Sequence, residues 1–148
     1  MRSAKMPAEV NAPTIRACAM ELTVFLSKVF GIGLIIMGVA IMIRRRYFIP
    51  VFGAFVEERL VRFVVSLAEL IAGLFLVIGH NVWSPLPAAI ISLLGWMAVI
   101  EATAYLLLPD DVLEKFIGTF NAPAWYLFGG LFTILIGIYL ASFGFGWL

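Results

Sequence analysis

The chain has 148 residues, 64% of them apolar and 13% charged, with a mean hydropathy of +1.09. A soluble domain runs near half apolar and a quarter charged, so this composition excludes one and points to helices that cross a membrane. Ten Lys and Arg against nine Asp and Glu leave a formal charge of +1, which excludes a nucleic-acid partner, while a single cysteine and a single histidine exclude disulfides and clustered metal or haem ligands, so no metal and no cofactor is expected.

Residues 1–21 hold two prolines, scattered charges and no sustained periodicity, and read as a mobile tail ahead of a membrane domain over 22–148. The first apolar run goes from Leu22 to Ile43 and is stopped by Arg44, Arg45 and Arg46. At about 1.5 Å per residue it reaches about 33 Å, enough to cross the hydrocarbon core and too long for a cleaved signal peptide. Further apolar runs place the second span at about 63–83, the third at about 86–108 and the fourth at about 125–147. The second and third are joined by the tight link His80 to Pro87, in which Asn81, Ser84, Pro85 and Pro87 form turns.

The other two links each carry a segment of helical period that is too short and too charged to span. In the first, Phe52, Phe55, Val56 and Leu60 share a face opposite Glu57 and Glu58; in the last, Val112, Leu113, Phe116, Ile117 and Phe120 recur behind a start signal at Asp110 and Asp111. Both read as helices lying in the interface. The fold class is therefore all-α, an integral membrane four-helix bundle with two short interfacial helices.

A shift of 64 residues carries the first two spans onto the last two. Gly31 then matches Gly95, Gly73 matches Gly137, Leu76 matches Leu140 and Trp83 matches Trp147, and the interfacial segments superimpose without a gap. This points to a duplicated two-helix hairpin whose copies share one orientation, related by an axis along the membrane normal.

Six Lys and Arg (Arg44, Arg45, Arg46, Arg59, Arg62 and Lys115) lie on the side of the two long links, against three in the tail. The positive-inside rule makes the long links cytoplasmic and both termini external, with Arg44, Arg45 and Arg46 as the main topology determinants. Trp83, Trp125, Tyr126 and Trp147 fall at expected span ends and read as interfacial anchors.

Three ionisable residues fall inside the expected spans: Lys28, Glu69 and Glu101. An intramembrane charge is costly, so each marks a site unless it is neutralised or hydrogen-bonded. Glu69 is six residues from Phe63 and Glu101 seven from Leu108, so both lie roughly 9 to 11 Å from the cytoplasmic side. Each has small neighbours, Ala72 and Gly73 for Glu69 and Ala98 and Ala104 for Glu101, which predicts that both carboxylates point into the bundle and approach each other. Such a pair is a candidate proton or cation site. As structural glue, the acids would instead be bonded to Ser66, Thr103, Tyr105 or Thr133. Lys28 is expected to snorkel to the outer interface, with a pairing to one of the acids as its alternative role. His80 reads as an interfacial turn histidine beside Asn81 and Trp83.

The segments HNVW at His80 to Trp83, SLLGW at Ser92 to Trp96 and VFGIGLIIMG at Val29 to Gly38, together with the glycine-rich last span, resemble a group of small uncharacterised bacterial integral membrane proteins with four spans. The resemblance implies a bacterial plasma membrane and supplies no activity. Two functions follow as expectations. The first is a non-enzymatic accessory or structural component that sits in the lipid bilayer and assembles as a homo-oligomer or in a larger membrane complex, motivated by small-residue faces and the want of a catalytic constellation. The alternative is a small proton- or cation-coupled transporter using Glu69 and Glu101.

Overall fold

The structure, a computed structural model, describes residues 12–147 apart from 45, 49, 52–54, 56–57 and 121–122. Its elements are α1 (Ala12–Ile43), α2 (Arg59–Gly79), α3 (Leu86–Leu107), α4 (Asp110–Phe120) and α5 (Pro123–Gly144). Four of them, all but α4, are long and apolar enough to cross a membrane, so the chain is a multi-pass helical membrane protein.

Helix boundaries follow local chemistry. Helix α1 starts at Ala12, about ten residues before the expected span, so the expected tail over 1–21 is helical in its second half. Pro13 sits in the first turn, where its missing N–H costs nothing, and no breaker stands between it and Leu22. Helix α2 runs from Arg59 to Gly79, not over 63–83: Arg59 and Arg62 form its first turn, and the His80 N–H closes its last by bonding the Leu76 carbonyl at 2.7 Å. Trp83 consequently lies in the link, exposed, its indole N–H donating to Asn81 Oδ1 at 2.9 Å. Helix α3 opens on Pro85 and Pro87 and stops before Pro109. Asp110 and Asp111 give α4 an acidic first turn that complements its dipole. Of the first interfacial segment, residues 46–48, 50–51 and 55 are helical; Phe52, Val56 and Glu57 lie outside the described residues, as do Arg45 and Asn121.

The spans pack mainly as two pairs, α1 along α5 and α2 along α3, with a smaller contact of α1 with α3. In lipid no hydrophobic force drives helices together, so approach depends on small residues that let backbones meet. A Cβ at Gly31 would lie 2.5 Å from the Ala141 nitrogen, and one at Gly137 would lie 2.9 Å from the Ile35 nitrogen. In the other pair, a Cβ at Gly95 would meet Leu76 Cβ at 2.9 Å and Val77 Cγ2 at 3.4 Å, and one at Gly73 would meet the Val99 nitrogen at 3.0 Å.

These contacts are copies of each other. A shift of 64 residues turns Gly31 against Ala141 into Gly95 against Val77, and Gly137 against Ile35 into Gly73 against Val99. Two of the helix boundaries obey the same offset, Ile43 and Leu107 at the ends of α1 and α3 and Arg59 and Pro123 at the starts of α2 and α5, whereas α1 starts ten residues earlier than the offset from Leu86 would place it. The packing thus repeats at the offset read in the sequence, with the pair α2–α3 corresponding to the pair α5–α1. Buried residues gather along the seams, among them Ala88, Ile91, Ala102, Leu140 and Ala141.

Candidate functional site

Glu69 and Glu101 stand on adjoining helices, within electrostatic range of each other, but in unlike settings. On α2 the buried positions are Arg62, Ser66 and Gly73. Glu69, three residues after Ser66 and four before Gly73, is carried close to that face and is half-buried at the α2–α3 seam. On α3 the buried positions are Ala88, Ile91, Ser92, Gly95 and Ala102. Glu101 directly precedes Ala102, so the roughly 100° step between successive helical residues turns it off the seam. It is exposed, contrary to the expectation that both carboxylates point into the bundle.

What Glu101 faces is a cavity of about 520 Å³ lined otherwise by Met97, Ile100, Ala104, Tyr105, Leu108, Val112 and Leu113. Helix α3 forms one wall and the amphipathic helix α4 the other. Tyr105, one turn after Glu101, donates its hydroxyl to Glu101 Oε1 at 2.8 Å, and Phe55 packs edge-on against the Tyr105 ring at 5.4 Å between centroids. Of the four hydroxyls considered as glue, Tyr105 is thus the one on Glu101; Thr103 and Thr133 bond the carbonyls of Val99 and Gly129 one turn back on their own helices. Ser66 is fully buried and its hydroxyl has no partner among the described residues.

Helix α4 is held in place by its first residue. Asp110 accepts from Arg59 at 2.9 Å and, through its other oxygen, from Arg62, whose side chain is mostly buried. A second cavity of about 410 Å³ lies there, lined by both arginines, Phe63, Tyr105, Leu106, Leu108 and Asp110. Tyr105 and Leu108 border both cavities. The two arginines are therefore committed to Asp110 and to the docking of α4, and neither acid of the spans has an ion-pair partner among the described residues.

Lys28 does not pair with Glu69 or Glu101. Its Nζ lies over the ring of Phe145, 5.4 Å from the centroid, because Gly144 lets the end of α5 close onto Lys28: a Cβ there would come within 2.9 Å of the Lys28 nitrogen. The lysine charge is thus received by a cation–π contact at the end of the bundle where α5 finishes.

His80 is the residue whose surroundings sequence reasoning missed. It is only 2% exposed, not an open interfacial turn residue. Its Nε2 contacts Thr23 Oγ1 at 2.8 Å and its Nδ1 lies 3.4 Å from Ser92 Oγ. Ser92 Oγ also lies 3.1 Å from the His80 carbonyl and 2.8 Å from the Val82 carbonyl, and it accepts from the Val82 N–H at 3.0 Å. The HNVW and SLLGW segments therefore meet in space, and the group joins α1, the end of α2 and α3. With Thr23 donating to the Ala19 carbonyl at 2.8 Å, the consistent tautomer carries its proton on Nε2 and donates to Thr23. Burial holds the imidazole below its ordinary value of 6.5, in favour of the neutral ring. Period alone could not reveal this, since the partners come from three different helices.

Among the described residues no group of three His, Cys, Asp or Glu is arranged to hold a metal ion. The chemistry available is that of the Glu69, Glu101 and Tyr105 group: taking up or releasing a proton, or balancing a positive charge, beside an apolar cavity. No protein-family model, no curated protein and no solved structure matches the chain.

Proposed function

We propose that the protein is a small, non-enzymatic carrier of the bacterial plasma membrane that couples a cation to proton exchange at Glu69 and Glu101. One observation supports this reading above the others: a carboxylate with no ion-pair partner among the described residues lines an open cavity beside a span, with a second acid on the adjoining helix. An intramembrane acid that serves only as glue needs no cavity beside it, whereas one that exchanges its proton for a cation needs access. The rival reading, an accessory or structural component, draws on the small-residue faces of the spans. Gly31, Gly38, Gly73, Gly95, Gly130 and Gly137 are used in packing this chain against itself, so that motive carries less weight.

The test is proton movement in proteoliposomes under imposed gradients of sodium, potassium or organic ammonium ions, followed with a pH-sensitive dye. Wild type is expected to exchange protons for at least one of these ions, and Glu69→Gln and Glu101→Gln to lose most of that exchange while inserting normally. A wild type that moves no protons under any gradient sinks the carrier reading and returns the protein to the component class.

A further inference from the structure

We propose that the cavity between α3 and α4 binds a hydrophobic organic cation, with the charge against Glu101 and the Tyr105 ring and the apolar body against Met97, Ile100, Ala104, Val112 and Leu113. The inference rests on the reading of Glu101 as a cation site and names the class of cation.

Four observations lead to it. First, the cavity, about 520 Å³, lies within the range of pockets that hold drug-sized molecules and far exceeds what a bare ion fills. Second, the donor set does not suit a metal ion: a hard cation takes six or more oxygen ligands, and among the described residues the lining offers one carboxylate and one phenol beside apolar side chains. Third, the polar features are of one kind. A carboxylate beside an aromatic ring is the combination that attracts an ammonium or phosphonium centre, the ring through its negative face and the acid through its charge. An anionic amphiphile would meet Glu101 head-on, and the arginines of the neighbouring cavity, Arg59 and Arg62, are already bonded to Asp110. Fourth, Met97 and Ile100, exposed on a helix apolar enough to cross a membrane, and Leu108 and Val112, exposed just beyond its end, form apolar walls, so the cavity opens sideways along the lipid-facing flank expected of a span. A ligand reaching it from that side must itself be soluble in lipid, which excludes strongly hydrated small ions and favours a cation whose charge is spread or shielded by hydrocarbon.

Hydrophobic contact alone would accept a neutral or anionic body of the same shape. Charge therefore sets the selectivity, and the unpartnered oxygen of Glu101 is available to supply it. Tyr105 acts at second hand as well as directly, because its hydroxyl orients the Glu101 carboxylate from one turn away.

The experiment is equilibrium binding of tetraphenylphosphonium to the full chain in nanodiscs, with tetraphenylborate as the matched anion. Saturable binding of the phosphonium and none of the borate is expected for wild type. Glu101→Gln should weaken phosphonium binding about tenfold or more, Tyr105→Phe less, and Ala104→Phe, which fills the cavity, should abolish it. Gly33→Ala, whose added methyl meets open space, serves as the folded control that binds as wild type does. Thermal unfolding of each variant shows whether a loss reflects misfolding; Tyr105→Phe and Glu101→Gln change no volume appreciably and carry the decision. Equal binding of phosphonium and borate, absence of saturable phosphonium binding, or unchanged affinity in a folded Glu101→Gln variant would overturn the proposal. If phosphonium binding fails while proton exchange with a small ion persists, the carrier reading stands and only the ligand class is wrong. If binding holds and no proton moves, the site binds without coupling and the carrier reading falls.

Discussion

His80 illustrates how one buried side chain can tie a bundle together at its end. Its ring bonds Thr23 of α1 and approaches Ser92 of α3, while its own N–H closes α2. Replacing it by Ala leaves Thr23 and Ser92 without their partner and opens a void among buried groups, at a cost of about 2 to 3 kcal/mol. A pH dependence follows from the same burial. The folded-state value lies below 6.5, so the unfolded chain binds the proton more tightly, and His80 contributes its full stability above about pH 6.5 and loses it as pH falls below that point. Thermal unfolding in micelles is expected to show a lower Tm at about pH 5 than at about pH 7.5, with a smaller difference in His80→Gln. An unchanged difference in that variant would remove His80 as its source. Glu101 makes a complementary point. Its identity as an intramembrane acid is legible from the run of apolar residues around it, but its facing is not, because one step along a helix separates a seam position such as Ala102 from an open one.

At the scale of the helices, the close approaches rest on a few glycines, and these can be told apart by what a methyl would meet. Gly31→Ala puts a Cβ 2.5 Å from the Ala141 backbone, which cannot yield without separating α1 from α5, so a loss of about 1 to 3 kcal/mol is expected. Gly33→Ala, two residues on, meets nothing within 4 Å and trades glycine for a better helix former, so it is neutral or stabilising by up to about 1 kcal/mol. SDS-induced unfolding of the two variants in parallel checks the contrast; equal effects would mean that the α1–α5 seam is not set by Gly31. The same comparison explains why the spans were legible while the pairing was only half so. A short link makes α2 and α3 antiparallel neighbours almost by necessity. That α1 pairs with α5, at the other end of the chain, depends on matching Gly31 and Gly137 to Ala141 and Ile35 across the seam.

For the molecule as a whole, charge bias predicts which ends of the bundle face the cytoplasm. In a Cys18→Ser background, Ser84→Cys is expected to react with a membrane-impermeant maleimide on intact cells, and Arg46→Cys only after the cells are opened; the reverse pattern would invert the assignment. The sequence by itself determined the class, the four spans and the two charged links, because the cost of placing polar backbone and charge in lipid is paid locally and leaves its mark on composition along the chain. The facing of Glu101, the burial of His80, the capture of Lys28 by Phe145 and the pinning of α4 through Asp110 were decided only in the tertiary structure. Each of these depends on how two or more helices are rotated against one another, and that rotation is set by the fit of small residues across a seam, a property of pairs of helices that no single segment carries.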